Sequence, residues 1–234
     1  MTSPTLTAIT RATLAKDLRL EWRSKDAINS MLFFALLVVV IFAFAFDPTA
    51  EQSRQIAGGL IWTALLFATV VALNQTWARE LRNNVLDAYR VSPAPPNAMF
   101  LAKSIANFIF VALLQAVMTP LFVVFYSLRS IGPVWQLVVI GLLANWALVV
   151  NGTFFAAMSI RTRNREIMLP LILFPLSIPA LLAMVEATTQ VLTGTSQVLT
   201  GASWPRFWVQ FLGVYDVVFT VVCLVLFETV LNAE

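Results

Sequence analysis

Six long apolar runs, separated by short polar stretches, account for most of the chain. Each run is close to the ~20 residues that a helix needs to cross the hydrocarbon core of a membrane. The pattern therefore predicts an all-α polytopic membrane protein with six transmembrane helices. The runs occupy residues 27–46, 58–77, 104–126, 134–158, 167–185 and 207–231.

The lysines and arginines are distributed unevenly among the polar stretches. All but three of the 15 basic residues precede the first run, separate the second from the third, or separate the fourth from the fifth. Because basic residues concentrate in cytoplasmic loops, this distribution predicts that both termini lie in the cytoplasm. The three exceptions, which are expected outside, are Arg54, Arg129 and Arg206.

The composition leaves little sequence for anything but a membrane domain. Hydrophobic residues make up 59% of the 234 residues and charged residues 12%, whereas soluble domains average roughly 45–50% and 25%. The composition therefore predicts a single membrane domain, residues 1–234. The basic residues lie next to predicted membrane boundaries, where anionic lipid headgroups attract them, so we expect the lipid bilayer and not nucleic acid as their partner.

Several kinds of chemistry are missing from the sequence. None of the eight glycines precedes a lysine, so the chain lacks a phosphate-binding P-loop and any ATP would have to be hydrolysed by another chain. The chain also contains no histidine, the commonest transition-metal ligand and a common general base. We therefore expect a non-catalytic subunit that binds no cofactor or metal directly. The single cysteine, Cys223, is interpreted as a buried apolar side chain.

The N-terminal segment, residues 1–26, has the pattern of a helix that lies along the membrane. From residue 8 to 28, Leu14, Leu18 and Trp22 fall on one side of a helical wheel and basic residues on the other. A basic amphipathic helix before a transmembrane helix is expected in the cytoplasmic interface. It is either a plain membrane anchor or also a contact for a cytoplasmic partner, since three acidic residues are unusual for lipid contact alone: Asp17, Glu21 and Asp26.

The connection at residues 78–102 combines a helix-compatible stretch with a proline-rich turn. Leu81, Val85 and Tyr89 follow one another at i, i+4 spacing, and three prolines between positions 93 and 96 then force an extended backbone. The segment is either a solvated linker or a docking elbow, and the large apolar residues on one helical face favour the elbow. Its candidate contact residues are Glu80, Leu81, Val85, Leu86, Tyr89 and Pro93.

Three prolines lie inside the fifth run, where each removes a backbone donor and bends the helix. They make this helix either a moving part or a statically curved one. Two seven-residue stretches after it, 190–196 and 197–203, are near-duplicates, which is typical of an external loop that tolerates insertion, here residues 186–206. A two-turn interfacial or re-entrant helix there remains an alternative. The prolines are Pro170, Pro175 and Pro179.

Two acidic residues, both candidate gating residues, lie where the pattern predicts membrane. Glu186 follows the fifth run, and Asp216 lies inside the sixth, where an ionised carboxylate costs roughly 2.5–3.5 kcal/mol on insertion scales. Asp216 has three open interpretations: a functional or gating role, a structural pair with a Thr, Asn or Tyr, or a position at the interface. The amides near or in the runs are expected to form hydrogen bonds between helices and not a substrate path: Asn74, Gln75, Asn107, Gln115, Asn145 and Asn151.

The order of these elements resembles the six-helix permeases of ABC exporters, with a basic interfacial helix, two spans, an elbow and four further spans. Within that class, three stretches are similar to the cytochrome c maturation protein B family, the membrane subunits of haem exporters. The most specific is the fifth run, with an Arg-x-x-Glu pair, three prolines and Glu186. The stretches are WRSKDAINSMLFFALLVVVIFAFAFDP at 22–48, TRNREIMLPLILFPLSIPALLAMVE at 162–186 and YDVVFTVVCLVLFETVL at 215–231.

The resemblance implies a partner for each missing activity. A cytoplasmic ABC ATPase subunit would bind ATP and dock on the elbow, while a tryptophan-rich membrane subunit and a periplasmic haem chaperone would hold the haem. The chain itself would couple ATP hydrolysis to haem export, or to release of the haem-loaded chaperone, in the inner membrane of a bacterium. Without an ATPase of its own it is expected to work as a homodimer. Two alternatives remain open: a permease for another substrate, such as a glycan, lipid or drug, and a membrane scaffold that transports nothing.

Overall fold

The structure, a computed structural model, describes residues 6–45, 50–82, 95–128, 130–159, 164–195 and 204–232. Over these ranges the regular structure is α-helical, as predicted, and consists of seven helices that are 19 to 33 residues long. The helices are α1 (Leu6–Ser24), α2 (Asp26–Ala45), α3 (Ala50–Arg82), α4 (Pro96–Phe125), α5 (Val134–Ser159), α6 (Arg165–Thr193) and α7 (Arg206–Asn232).

In the described part of the chain, five helices, α3 to α7, are each long and apolar enough to span a membrane. They cover the second to sixth apolar runs, so these five predicted spans are confirmed as helices of spanning length. The connection predicted at residues 78–102 is shorter, because α3 continues to Arg82 and α4 already begins at Pro96. Helix α2 coincides with the first run, but it meets the same criterion only together with α1, from which it is bent by 64°. Among the described residues, the structure therefore shows five helices of spanning length and a sixth candidate.

The N-terminal helix ends at Ser24, and not at residue 28 as predicted. Lys25 adopts a left-handed backbone conformation (φ 57°), which interrupts the helix before α2 begins. Glu21 stabilises both sides of this break, because its carbonyl accepts a hydrogen bond from Lys25 N–H (2.7 Å) and its carboxylate accepts one from Ile28 N–H (3.1 Å). A carboxylate that bonds a free N–H in the first turn of a helix caps that helix. The apolar pattern runs on across the cap, which is why it predicted a continuous helix.

Helix α5 lies at the centre of the bundle and packs against α3, α4, α6 and α7. At Gly152 a Cβ atom would overlap the side chain of Leu73 in α3, so any larger residue would push that leucine aside. At Gly141 a Cβ atom would lie 2.9 Å from the side-chain Nε2 of Gln115 in α4. These two glycines therefore allow α3 and α4 to approach α5 closely.

Amide side chains inside the bundle form hydrogen bonds between helices, which confirms the prediction for five of the six amides. Because the hydrocarbon core offers no water to bond these groups, each needs a partner in the protein. The bonds run from Asn145 Nδ2 to Gln115 Oε1 (2.6 Å), from Asn107 Nδ2 to Thr153 Oγ1 (3.2 Å), from Gln75 Nε2 to Ser30 Oγ (2.8 Å) and from Asn151 Nδ2 to Tyr215 Oη (3.0 Å).

Helix α6 continues for about two turns beyond Glu186 and ends at Thr193. Gly194 follows in a left-handed conformation (φ 70°), a common way to end a helix. The N–H of Gly132, in the connection between α4 and α5, donates to the carbonyl of Val191 in the last turn (2.9 Å). A distant part of the chain thus supports this end of α6, and the helix extends into the stretch predicted as an external loop.

Candidate functional site

Charged side chains from three helices meet in a buried group where α3 ends and α4 begins. Lys103 of α4 is 0% exposed, and its Nζ lies 2.7 Å from Glu80 Oε1 of α3 and 3.3 Å from Asp17 Oδ2 of α1. The ammonium also lies 5.1 Å from the ring centre of Trp77, within the range of a cation–π interaction. Three helices are therefore joined at one buried ammonium group.

Lys16 of α1 adds a second cation to this group. Its Nζ lies 3.1 Å from Asp17 Oδ1 and 3.0 Å from Glu80 Oε1. Partial burial lowers the pKa of Lys16, but the negative charges of Asp17 and Glu80 raise it by more, so the net pKa lies above its ordinary value. Lys16 therefore stays protonated, and two cations balance two anions. We call Lys16, Asp17, Glu80 and Lys103 the charge cluster.

A second ion pair ties α1 to α3 nearby. The guanidinium of Arg79 contacts the carboxylate of Glu21, which is almost fully buried. Because the same carboxylate caps α2 at Ile28, one residue joins α1, α2 and α3. Asp17 and Glu21 are four residues apart and so lie on one face of α1. That face is the one that α1 turns towards the rest of the protein.

The predicted apolar side of α1 is only partly exposed. Trp22 is 73% exposed and available to lipid, whereas Leu14 and Leu18 are half-buried. The sequence had left open whether the acidic residues of this segment indicate a cytoplasmic partner. Asp17 and Glu21 are both neutralised within the chain, so they do not by themselves require one.

The charge cluster stabilises the protein only while its buried members, Asp17, Glu80 and Lys103, stay paired. Taking a charge out of water costs several kcal/mol, and the attraction within a buried pair offsets this cost only when every charge keeps its partner. Removing one member of a buried pair costs about 3–5 kcal/mol. We therefore expect the arrangement to act as a rigid joint between α1, the last turn of α3 and the first turns of α4.

The structure places the predicted elbow residues in different environments. Glu80 is buried in the charge cluster, whereas the next residue, Leu81, is 41% exposed. Sequence reasoning selected Glu80 but missed its partners Lys103, Lys16 and Asp17. A lysine at the edge of an apolar run is the signal that could have suggested a buried cation there. The predictions for Val85, Leu86, Tyr89, Pro93 and the duplicated stretch from 196 to 203 lie outside the described residues.

A second polar group lies in the middle of α7. The Tyr215 hydroxyl donates to the carbonyl of Leu176 in α6 (3.1 Å) and accepts a hydrogen bond from Asn151 Nδ2 of α5 (3.0 Å). Leu176 lies three residues before Pro179, in the part of α6 where proline rings remove backbone hydrogen bonds. Tyr215 therefore connects α5, α6 and α7 at the proline-containing part of the bundle.

Asp216, the next residue, is buried without a partner. It is 6% exposed, and neither carboxylate oxygen has a hydrogen-bond partner among the described residues. The structural pair with a Thr, Asn or Tyr is therefore not formed in the described part of the chain, while the gating role and the position at the interface stay predictions. On its own helix the nearest charged residues are Arg206 and Glu228, about 15 and 18 Å away along the axis.

Helix α6 carries the remaining predicted site residues. Pro170 is half-buried, whereas Pro175, Pro179 and Glu186 are exposed. The structure does not bring Glu186 or Asp216 into contact with the charge cluster. The candidate site residues thus fall into two separate regions.

These features define a helical multi-pass membrane protein in which polar chemistry is concentrated in buried contacts between helices. Among the described residues, no three His, Cys, Asp or Glu side chains are grouped so that they could hold a metal ion. The model of the CcmB protein family matches residues 8–227. The chain therefore belongs to the CcmB family, which confirms the resemblance predicted from its sequence.

Three similar proteins are each named heme exporter protein B. That of Rhodobacter capsulatus is 34% identical over 176 residues, which cover 75% of this chain and 80% of the relative. That of Paracoccus denitrificans is 28% identical over 185 residues, covering 79% and 84%. That of Pseudomonas aeruginosa is 29% identical over 171 residues, covering 72% and 75%. The similarity thus extends over most of both chains.

Proposed function

We propose that this chain is the membrane subunit of an ABC-type complex in cytochrome c biogenesis. ATP hydrolysis in a partner subunit drives haem export, or release of a haem-loaded periplasmic chaperone, and this chain carries the conformational change. Membership of the CcmB family and relatives named heme exporter protein B support the haem-related role. The observation that supports coupling is the charge cluster at both ends of the 83–94 connection.

The charge cluster could transmit a movement of the 83–94 connection to the helices around it. Glu80 and Lys103 lie on either side of the connection and bond directly to each other, 2.7 Å apart. A partner that pushes on the connection would therefore move the ends of α3 and α4 together. Asp17 adds α1 to the same unit, and Glu21 extends it to the first turn of α2. Docking of a partner on the 83–94 connection would thus be transmitted to four helices, α1 to α4.

The elbow residues have two roles in this proposal. Leu81, Val85, Leu86, Tyr89 and Pro93 form the docking surface for the ATPase, and the exposure of Leu81 is compatible with that role. Glu80 acts from inside, because its buried carboxylate holds the elbow in position and is not available for direct contact.

The proposed complex extends beyond this chain. Each copy has six spans with both termini in the cytoplasm, in the inner membrane of a bacterium, and two copies bind two cytoplasmic ABC ATPase subunits. ATP and haem are held by partners, the haem by a tryptophan-rich membrane subunit and a periplasmic chaperone. The proposed moving part of the membrane domain includes Pro170, Pro175, Pro179, Glu186 and Asp216, because the prolines remove backbone bonds from α6.

The haem-related role is tested by deleting the gene and staining membranes for cytochromes with covalently bound haem. We expect c-type cytochromes to be lost and to return when the wild-type gene is supplied. Retained cytochromes would discard the role in cytochrome c biogenesis. Export of another substrate, or a scaffold without transport, would then be the functions left to test.

The coupling role is tested by placing a charge on the docking surface. Leu86→Asp or Tyr89→Asp would bury an unpaired carboxylate in the contact with the ATPase, which costs several kcal/mol. We expect the ATPase no longer to co-purify while this chain still inserts into the membrane. Val134→Asp, at an exposed position at the start of α5, is the matched control and should leave co-purification unchanged. Undiminished co-purification of both elbow variants would refute the docking role.

A further inference from the structure

Asp216 belongs to the side of α7 that packs against the rest of the bundle. Helix α7 contacts α4, α5 and α6. Leu212 and Cys223, four residues before and seven residues after Asp216, lie on the same face of the helix and are also buried. Val214 and Val217, on the other side, are 65% and 64% exposed. The carboxyl group of Asp216 is therefore enclosed by protein and not by lipid.

Two of the helices around Asp216 carry no charged residue near its depth. Helix α5, Val134–Ser159, has no titratable residue at all. In α6, the bond from the Tyr215 hydroxyl to the carbonyl of Leu176 marks the depth of Asp216. The charged residues of α6 lie ten or eleven positions from Leu176, about 15 to 16 Å along the axis. They are Arg165, Glu166 and Glu186.

The other two helices that touch α7 bring their charges to its far end. Helix α4 has one charged residue, Lys103, which is paired in the charge cluster. Phe100, one turn earlier, packs on Phe227, which lies eleven residues, about 16 Å, from Asp216. Helix α3 contacts the same ring through Trp77, and its charged residues lie within its first five and last four positions. None of the described cations of these helices is therefore placed to pair with Asp216.

The polar groups nearest to Asp216 on its own helix are bonded elsewhere. The Tyr215 hydroxyl donates to a carbonyl of α6 and accepts from Asn151 Nδ2. The thiol of Cys223 donates to Asn151 Oδ1, with 3.9 Å between the two atoms. A hydroxyl or thiol that donates carries its proton and is neutral. These groups therefore bring no charge to Asp216, and neither of its oxygen atoms has a donor among the described residues.

A carboxyl group in such surroundings is far easier to bury with a proton than without one. An isolated ionised carboxylate that is taken out of water takes up a proton, because the charged form loses its hydration and gains no partner. To lose that proton again, the oxygen atoms must be reached by water or by a donor. Helices α5 and α6, which pack on α7, stand in the way.

We propose that Asp216 is a proton-binding site inside the membrane domain. Its carboxyl group carries a proton while α7 is packed against α5 and α6, and releases it to water when α7 separates from them. In this step the carboxyl O–H bond breaks, the proton passes to a water molecule, and the electron pair stays on the carboxylate. The release, but not the binding of the proton, rests on the proposed function, in which α6 and α7 belong to the moving part.

The first experiment detects the bound proton by infrared spectroscopy. A protonated carboxyl group has its own C=O absorption, which shifts when the side chains of aspartate carry carbon-13. The complex is purified at neutral pH from cells grown with and without the label. We expect a protonated aspartate band in the wild type that is lost in both Asp216→Asn and Asp216→Glu. Glu228→Gln, at an exposed carboxylate of the same helix, is the matched control and should keep the band.

The second experiment measures the release of the proton through Cys223, the only cysteine of the chain. It is 2% exposed and bonded to α5, so a maleimide reaches it only when α7 separates from α5. If opening releases one proton, it becomes about tenfold more favourable for each unit that the pH rises. The thiol itself reacts faster at higher pH, so the labelling rate is compared with that of Asp216→Asn. Mass spectrometry of the complex follows the labelling between about pH 7 and 9, below the ordinary range of tyrosine.

We expect the ratio of the wild-type rate to the Asp216→Asn rate to rise about tenfold per pH unit. Asp216→Glu, which keeps an ionisable group, and Glu228→Gln should retain this rise. A constant ratio would overturn the release of the proton. A wild type without a protonated aspartate band, or a band that survives both substitutions of Asp216, would overturn the site itself.

These outcomes are separate from the test of the proposed function. Loss of c-type cytochromes on gene deletion, in a protein whose Asp216 is ionised, would overturn this inference and leave the haem-related role in place. A protonated Asp216 in a strain that keeps its c-type cytochromes after gene deletion would support the site and overturn the proposed function.

Discussion

The charge cluster and the middle of α7 are both buried polar regions, but only the first pairs its charges within a single chain. Even there, Glu80 Oε2 has no hydrogen-bond partner among the described residues. In the charge cluster, two lysines approach two carboxylates at 2.7 to 3.3 Å. In α7, the carboxylate of Asp216 is buried with no partner for either oxygen among the described residues. The charge cluster balances its charges, whereas Asp216 needs either a counter-charge or a bound proton.

This difference indicates different tasks. A balanced buried cluster resists change, because any movement that separates one pair strands the remaining charges. A lone acidic residue in a membrane helix is costly when ionised, so Asp216 marks a candidate functional position and not a rigid contact. We therefore expect the charge cluster to move as a rigid unit, and conformational change to be concentrated around α6 and α7.

The largest expected effect comes from breaking the balanced region. Lys103→Met keeps a similar length but removes the ammonium that Glu80 and Asp17 share, so two buried carboxylates lose a partner. We expect a loss of about 3–5 kcal/mol in the free energy of unfolding. The measurement is the amount of protein in the membrane, together with its thermal unfolding temperature in detergent.

The matched control for this prediction is Lys16→Met. Lys16 contacts the same two carboxylates but is partly exposed, with 39% of its side chain accessible, so water can replace it. Its loss should cost much less than the loss of Lys103. Equal effects of the two substitutions would show that burial does not distinguish these lysines and that the charge cluster is not the rigid joint described here.

A smaller effect is expected where α6 and α7 are connected. Tyr215→Phe removes the hydroxyl that donates to the carbonyl of Leu176 and accepts from Asn151. Asn151 Nδ2 keeps its bond to the Ala147 carbonyl (3.0 Å), but its second N–H loses its partner in the protein interior. An unsatisfied buried polar group costs about 1–3 kcal/mol. We expect thermal unfolding to shift accordingly, while Tyr126→Phe, which removes a single longer bond of 3.4 Å to Val39, shifts it less. The reverse order would contradict the connecting role of Tyr215.

Much of the fold could be predicted because it depends on patterns within short stretches of the sequence. An apolar run of about 20 residues predicts a spanning helix wherever it lies, and α3 to α7 follow that rule. The same holds for the amides, since any amide inside a membrane helix needs a partner, as Asn145 and Asn151 show. The identity of each partner was not predictable from these patterns.

The parts that sequence reasoning missed depend on residues far apart in the chain. Lys103 donates a hydrogen bond to Asp17, which lies 86 positions earlier in the chain, and no periodic pattern links the two. Gly132, in the connection before α5, donates a hydrogen bond to the last turn of α6. This contact supports helix α6 beyond the end of its apolar run. Glu80 was selected as a surface contact because it adjoins the elbow, but its neighbours in space made it a buried member of the charge cluster.

The smallest expected effect on stability is at Asp216, and it is the most informative about the comparison. Because no described residue bonds its carboxylate, Asp216→Leu should strand nothing. Replacing a buried ionisable group by a packed apolar one should then be neutral or mildly stabilising, on the order of 0–1 kcal/mol. Asp216→Asn, with nearly the same shape and no ionisable group, should also assemble normally. Thermal unfolding and the yield of the complex measure both expectations.

Cytochrome maturation then decides what the unpartnered carboxylate does. If Asp216 acts by changing its protonation or its contacts, both Asn and Leu should reduce haem-stained cytochromes although the complex assembles. Normal maturation with both substitutions would remove Asp216 from the moving part. Loss of protein with Leu but not with Asn would show that the carboxylate has a hydrogen-bond partner after all. In that case the carboxylate in the middle of α7 would be paired within one chain, as the charges of the charge cluster are, and the contrast between the two regions would disappear.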